Sequence, residues 1–111
     1  CGLRPRSRGT IRLASADPTV PPRIAPRYLS APEDMDLLVE AVHLARDIVN
    51  AHPFDAWRGA EVFPGPGHDS RRALIEFIRR KAESIYHPVG TCRMGPAGEP
   101  GSVVDPRLRV H

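Results

Sequence analysis

The sequence predicts an α+β fold with the core of one small domain. Three observations carry this. A short segment near the start alternates apolar and polar residues, two longer segments repeat apolar residues at helical spacing behind cap signals, and stretches rich in proline and glycine separate them. At 111 residues the chain is long enough for a single domain with a modest core. Its hydrophobic content of 41% permits folding, but 13 prolines, 9 glycines and few aromatics leave little to fill an interior. Such proportions suit a piece of something larger.

In chain order, Ile11 and Leu13 alternate with Thr10, Arg12 and Ala14, the period of a half-buried strand, so one face is expected to bury. Ala16-Asp17-Pro18 closes it. Pro18, Pro21, Pro22 and Pro26 then hold the chain extended and cannot donate ladder hydrogen bonds, which reads as a surface connection. Ser30-Ala31-Pro32-Glu33 has capping-box spacing, and Glu33, Asp34 and Asp36 complement a helix dipole, so a helix is expected from there to about Ala51. Met35, Leu38, Val39, Val42 and Val49 form one stripe; Leu37, Ala41, Leu44 and Ile48 form an adjoining one. A stripe that wide implies burial on more than one side, against protein beyond these residues. His43, between the stripes, reads as an interface side chain.

His52-Pro53 terminates this helix, and Phe54 to Gly67 is a loop holding the single tryptophan, Trp57. Asp69-Ser70 offers the N-cap of a second helix to about Ser84, with Leu74, Ile75, Ile78, Ala82 and Ile85 as its buried stripe. Arg71, Arg72, Arg79, Arg80 and Lys81 fall mostly on its solvated face. This helix is expected to deliver His87, its end fixing where the ring emerges. Pro96 to Gly101 is turn-rich, and Val103 to Val110 reads as extended.

The chemistry concentrates in Tyr86-His87-Pro88-Val89-Gly90-Thr91-Cys92-Arg93-Met94-Gly95. Pro88 biases His87 away from helical geometry, and a histidine held on a restrained backbone suits a general base near neutral pH. From residue chemistry alone, a helix-end histidine favoured by the dipole is the more ordinary reading. Cys92 reads as a packing residue, although a thiol next to Arg93 is a possible reactive group. The spacing of His87, Cys92 and His111, without a fourth ligand, does not make a zinc site, so no metal is expected.

Charge and cysteine usage narrow the class. The net charge is +3, and the arginines are scattered rather than interleaved with aromatics, so no nucleic-acid partner is expected. No apolar run is long enough to cross a bilayer, and no charged-then-apolar leader opens the chain. Two cysteines, Cys1 and Cys92, do not form a disulfide framework, which points to a reducing, cytoplasmic setting.

The block His87 to Gly95, followed by Ser102-Val103-Val104-Asp105-Pro106-Arg107-Leu108-Arg109-Val110-His111, resembles the C-terminal signature of the glucose-methanol-choline (GMC) flavin oxidoreductases. Ser7-Arg8-Gly9-Thr10-Ile11-Arg12-Leu13, Asp17-Pro18 and Tyr28-Leu29-Ser30 resemble the same family's C-terminal domain in the same order. Nearly the whole chain is covered, with residues 55 to 72 the least distinctive.

The resemblance implies a partial antiparallel sheet with two packed helices: the family's substrate-binding domain, spanning 1–111 and incomplete without its FAD-binding domain. Residues 102–111 would begin the return to that domain. It implies a choline- or alcohol-dehydrogenase-like enzyme acting on CH-OH groups. There a base takes the hydroxyl proton while hydride passes to FAD. His87 takes the role of base, and Tyr86 and Val89 are candidates for lining the substrate cavity.

The strand-turn-helix with a glycine fingerprint for the dinucleotide is absent from these residues, since Gly65-Pro66-Gly67 follows no strand. FAD is therefore expected to be held mostly by the rest of the polypeptide, and the 111 residues alone to be inactive. The competing expectation is a non-catalytic protein-interaction module built on the wide apolar helix and the basic one.

Overall fold

The computed structural model describes residues 2–111; Cys1 lies outside them. The elements are β1 (Thr10–Arg12), β2 (Arg23–Ala25), α1 (Pro32–Val49), a single 3-10 turn at His52–Phe54, and α2 (Arg71–Lys81). Two strands and two helices make the fold α+β. The chain packs as two units: Arg27–Glu83 with the residues up to Gly9, and Thr10–Pro26 with Ser84–His111.

The first unit is a helix pair. Met35 and Val39 of α1 meet Leu74 and Ile78 of α2 in one buried cluster, edged by Leu29, Leu38, Val42, Ile75 and Phe77. Leu74 is fully enclosed, at 0% exposure. These are positions of the stripes expected from the sequence. The adjoining stripe is different: Leu37, Leu44 and Ile48 are exposed, as are His43 and Val49.

The start of α1 departs from the capping box. Its N-cap is Ala31, with no side-chain cap hydrogen bond. The reason lies upstream, in Ser7, whose hydroxyl accepts from Ala31 N at 3.0 Å and donates to Asp34 Oδ2. Asp34 also accepts from Arg6 N at 2.7 Å and Ser7 N at 2.8 Å, so a first-turn carboxylate ties the N-terminal segment to the helix. The helix ends at Val49, with Asn50 as C-cap donating to Arg46 O.

Ser70 caps α2 as its sequence position predicts, accepting from Ala73 N at 3.2 Å. The helix is shorter than expected. It stops at Lys81, Ala82 is already extended, and Ile85 is exposed. Beyond Ile78 the apolar positions find nothing to pack against in this unit, so no burial offsets the entropy of further helical turns. Between the helices, Arg46 of α1 holds the loop. It donates to both Glu61 carboxylate oxygens, at 2.9 and 3.1 Å, and to His68 O at 3.2 Å.

In the second unit, β1 and β2 pair antiparallel with Ile11 opposite Ile24. The segment read as a connection thus contains a strand. Pro22 and Pro26 lie just outside it, leaving Arg23, Ile24 and Ala25 able to donate. Asp17 builds the intervening turn, its Oδ1 accepting from Thr19 N at 2.9 Å and its carbonyl from Val20 N at 3.1 Å. The expected buried face is not formed: every residue of both strands is exposed, including Ile11 and Ile24, and so is Leu13. A two-stranded ribbon has no second layer to cover either face.

Candidate functional site

The signature begins where the chain leaves Ser84, whose hydroxyl accepts from Tyr86 N at 3.0 Å. Tyr86 itself adopts a φ of 61°, uncommon for an aromatic residue, so the backbone turns sharply just before His87. His87 is exposed, and among the described residues its ring makes no hydrogen bond or ion pair. Tyr86 and Val89 on either side are 82% and 92% exposed. Gly90 has a φ of 95° with open space where a Cβ would stand, so the turn itself, not crowding, requires glycine.

α2 does not deliver His87. The helix ends at Lys81, and His87 belongs to the second unit. What fixes the signature is its C-terminal half. Arg93 O accepts from Val103 N at 2.8 Å and Val104 N at 3.3 Å, and Gly95 N donates to Val104 O at 3.0 Å. Met94 bridges Val104 in parallel, and Val104 bridges Val110 antiparallel. Val104 is the buried apolar residue of this unit. Gly95 is required by close approach, because a Cβ there would run into Ser102 Oγ.

Val103 to Val110 is not one extended run. It doubles back through a tight turn at Asp105-Pro106-Arg107-Leu108, with Leu108 N donating to Asp105 O at 2.9 Å and Leu108 at a φ of 63°. The Asp105 carboxylate organises the turn, accepting from Arg107 N, Arg109 N and the Arg109 guanidinium. The Arg109 backbone and side-chain hydrogen bonds hold its pKa below the usual carboxylate range. The signal was present in the sequence: aspartate followed by proline initiates turns, and arginine four residues on can reach back.

Cys92, read as a packing residue, is exposed instead, since the turn at Thr91-Cys92 buries neither side chain. Among the described residues no group of three metal-ligating side chains forms, and no helix is long and apolar enough to cross a membrane. In the helical unit, a separate open cavity of about 950 Å³ is lined largely by apolar side chains, including Leu38, Val42, Phe54, Trp57, Phe63 and Phe77.

The sequence profile of the GMC oxidoreductase family matches residues 5–111. The chain belongs to the GMC oxidoreductase family. It is 46% identical over 111 residues to an alcohol dehydrogenase (acceptor) of Pseudomonas putida, covering 100% of this chain and 20% of the relative. It is 44% identical over 105 residues to an oxygen-dependent choline dehydrogenase of Rhizobium etli, covering 95% of this chain and 19% of that protein. To oxygen-dependent choline dehydrogenase 1 of Chromohalobacter salexigens it is 42% identical over 109 residues, 98% of this chain and 20% of the relative. The chain thus spans about a fifth of the length of these GMC relatives and corresponds to the family's C-terminal domain.

Proposed function

We propose that this chain is the substrate-binding part of an FAD-dependent GMC oxidoreductase acting on the CH-OH groups of alcohols, with His87 as its base. The observation that carries the reading is the state of the His87 ring, exposed and without a partner among the described residues, inside the signature block of a family member. A neutral imidazole nitrogen so placed is available to accept the hydroxyl proton of an alcohol brought within hydrogen-bond distance, which is the base half of an alcohol oxidation. Tyr86 and Val89, exposed just before and after it in the chain, are the proposed apolar surface for the carbon skeleton. The relatives' names, an alcohol dehydrogenase and choline dehydrogenases, support an alcohol as substrate.

The described residues do not by themselves fit FAD. No strand leads through a glycine turn into a helix, and Gly65, the first glycine of Gly65-Pro66-Gly67, has the Val62 carbonyl 3.1 Å from where its Cβ would stand. We place the cofactor site in the remainder of the full-length polypeptide. The same remainder is the proposed cover for the exposed apolar row of α1. A second reading, a protein-interaction module, draws on the cavity around Trp57, which is 86% exposed.

Purification of the full-length protein separates the two. The reading predicts bound FAD whose spectrum bleaches anaerobically with a primary alcohol, while the 111-residue chain alone is colourless and does not turn over. A full-length protein without flavin would overturn the enzyme reading in favour of partner binding.

A further inference from the structure

The two halves of the signature are held very differently. Among the described residues, no hydrogen bond engages the backbone of residues 87–92, whereas Arg93, Met94 and Gly95 are gripped by Val103 and Val104. Pro88 restrains the His87 backbone locally, but with a glycine of positive φ at position 90 and no backbone partner along the loop, its placement depends on the anchor that follows it.

That anchor is closed from farther along the chain. The Asp105 carboxylate accepts at Oδ1 from Arg107 N at 2.8 Å and Arg109 N at 3.0 Å, and at Oδ2 from Arg109 Nε at 2.8 Å and Nη2 at 2.7 Å. Asp105 N donates in turn to Arg109 O at 2.9 Å. The resulting hairpin returns Val110 to Val104, and His111 N donates to Val103 O at 3.1 Å. The His111 ring then reaches the signature itself, Nε2 lying 2.9 Å from Gly95 O. A carbonyl oxygen only accepts, so Nε2 carries the proton in this contact.

We propose that Asp105 and His111 are positioning residues for His87. Asp105 folds the return turn, His111 clamps the Gly95 carbonyl, and together they fix the end of the loop that presents the base. The proposal rests on the reading of His87 as base. A misplacement of about 1 Å at a reacting group can cost about 10² in rate, so residues that touch no substrate can still govern turnover.

The test uses the full-length flavoprotein, with Asp105→Ala, Asp105→Asn, His111→Ala and His111→Gln beside His87→Ala. Limiting rates of anaerobic flavin reduction are measured together with flavin content and half-saturation by the alcohol. Asp105→Ala and His111→Ala are expected to lower the limiting rate about 10-fold or more, with flavin content unchanged and half-saturation within about twofold. Asp105→Asn keeps an acceptor for the two backbone N–H groups, and His111→Gln keeps an N–H donor for Gly95 O, so each is expected to recover most of the loss. If Asp105→Ala does not fold, the His111 pair decides.

Wild-type rates in both alanine variants, with His87→Ala slow, would overturn positioning and leave the base intact. Failure of His111→Gln to recover any rate would overturn the clamp. An unimpaired His87→Ala would overturn the base and this proposal with it.

Discussion

Aspartates hold both ends of this chain in place, by the same physical device. Asp34 gathers the Ser7 hydroxyl and the Arg6 and Ser7 N–H groups, and Asp105 gathers the Arg109 and Arg107 donors. In each case hydrogen bonds to the ionised form hold the carboxyl below the usual range, the Ser7 hydroxyl contributing most at Asp34. A depressed folded pKa means that the stabilisation is fully present above the unfolded value of about 4 and is lost as pH falls through the folded value. Acid unfolding followed by far-ultraviolet circular dichroism is therefore expected to show a steeper loss below about pH 4 in wild type than in Asp34→Asn. Superimposable acid limbs would contradict the assignment. Ser7 is a partner that no local sequence pattern announces, because its contact with Asp34 joins the segment before β1 to the first turn of α1.

At the scale of elements, the helices were legible and the strands less so. Ser70 before a basic and apolar run is a local cap signal, and removing it by Ser70→Ala is expected to cost about 0.5–2 kcal/mol in chemical denaturation. The stripe that places Leu74 and Ile78 against Met35 and Val39 is periodic, so it could be read without knowing the partner. Leu74→Ala, at the fully enclosed position, is expected to cost about 2–5 kcal/mol, and a loss below 1 kcal/mol would show that this cluster is not the core of the unit.

The end of α2 was not legible, because Ala82 and Ile85 continue the period while the helix stops for want of anything to pack on. β2 was hidden by Pro22 and Pro26, which forbid donation only at their own positions. Arg46 is also more than a member of α1, since its fork reaches both Glu61 oxygens and His68 O. Lysine cannot reproduce that fork, so Arg46→Lys is expected to loosen the 59–69 loop, seen as faster amide exchange there.

For the whole molecule, the sequence carried the family and the location of the signature, but not how the signature is held. The ten residues around His87 are specific as a pattern, and Asp105-Pro106 signals a local turn, while the contact of His111 with Gly95 O joins residues that only the folded chain brings together. The same limit applies to the apolar residues. Their number was plain in the sequence, yet their distribution into one small helical core and many exposed side chains, among them Trp57 and Val89, appears only in the structure. A chain that spans about a fifth of its relatives' length and exposes so much apolar surface is, on the proposed reading, one face of a larger enzyme.

The central claim is that His87 is the base of that enzyme, and the limiting rate of anaerobic flavin reduction by alcohol in the full-length protein tests it most directly. His87→Ala is expected to retain FAD and to reduce it about 10² to 10⁴ times more slowly than wild type. Equal rates in the two proteins, with equal flavin content, would contradict the assignment.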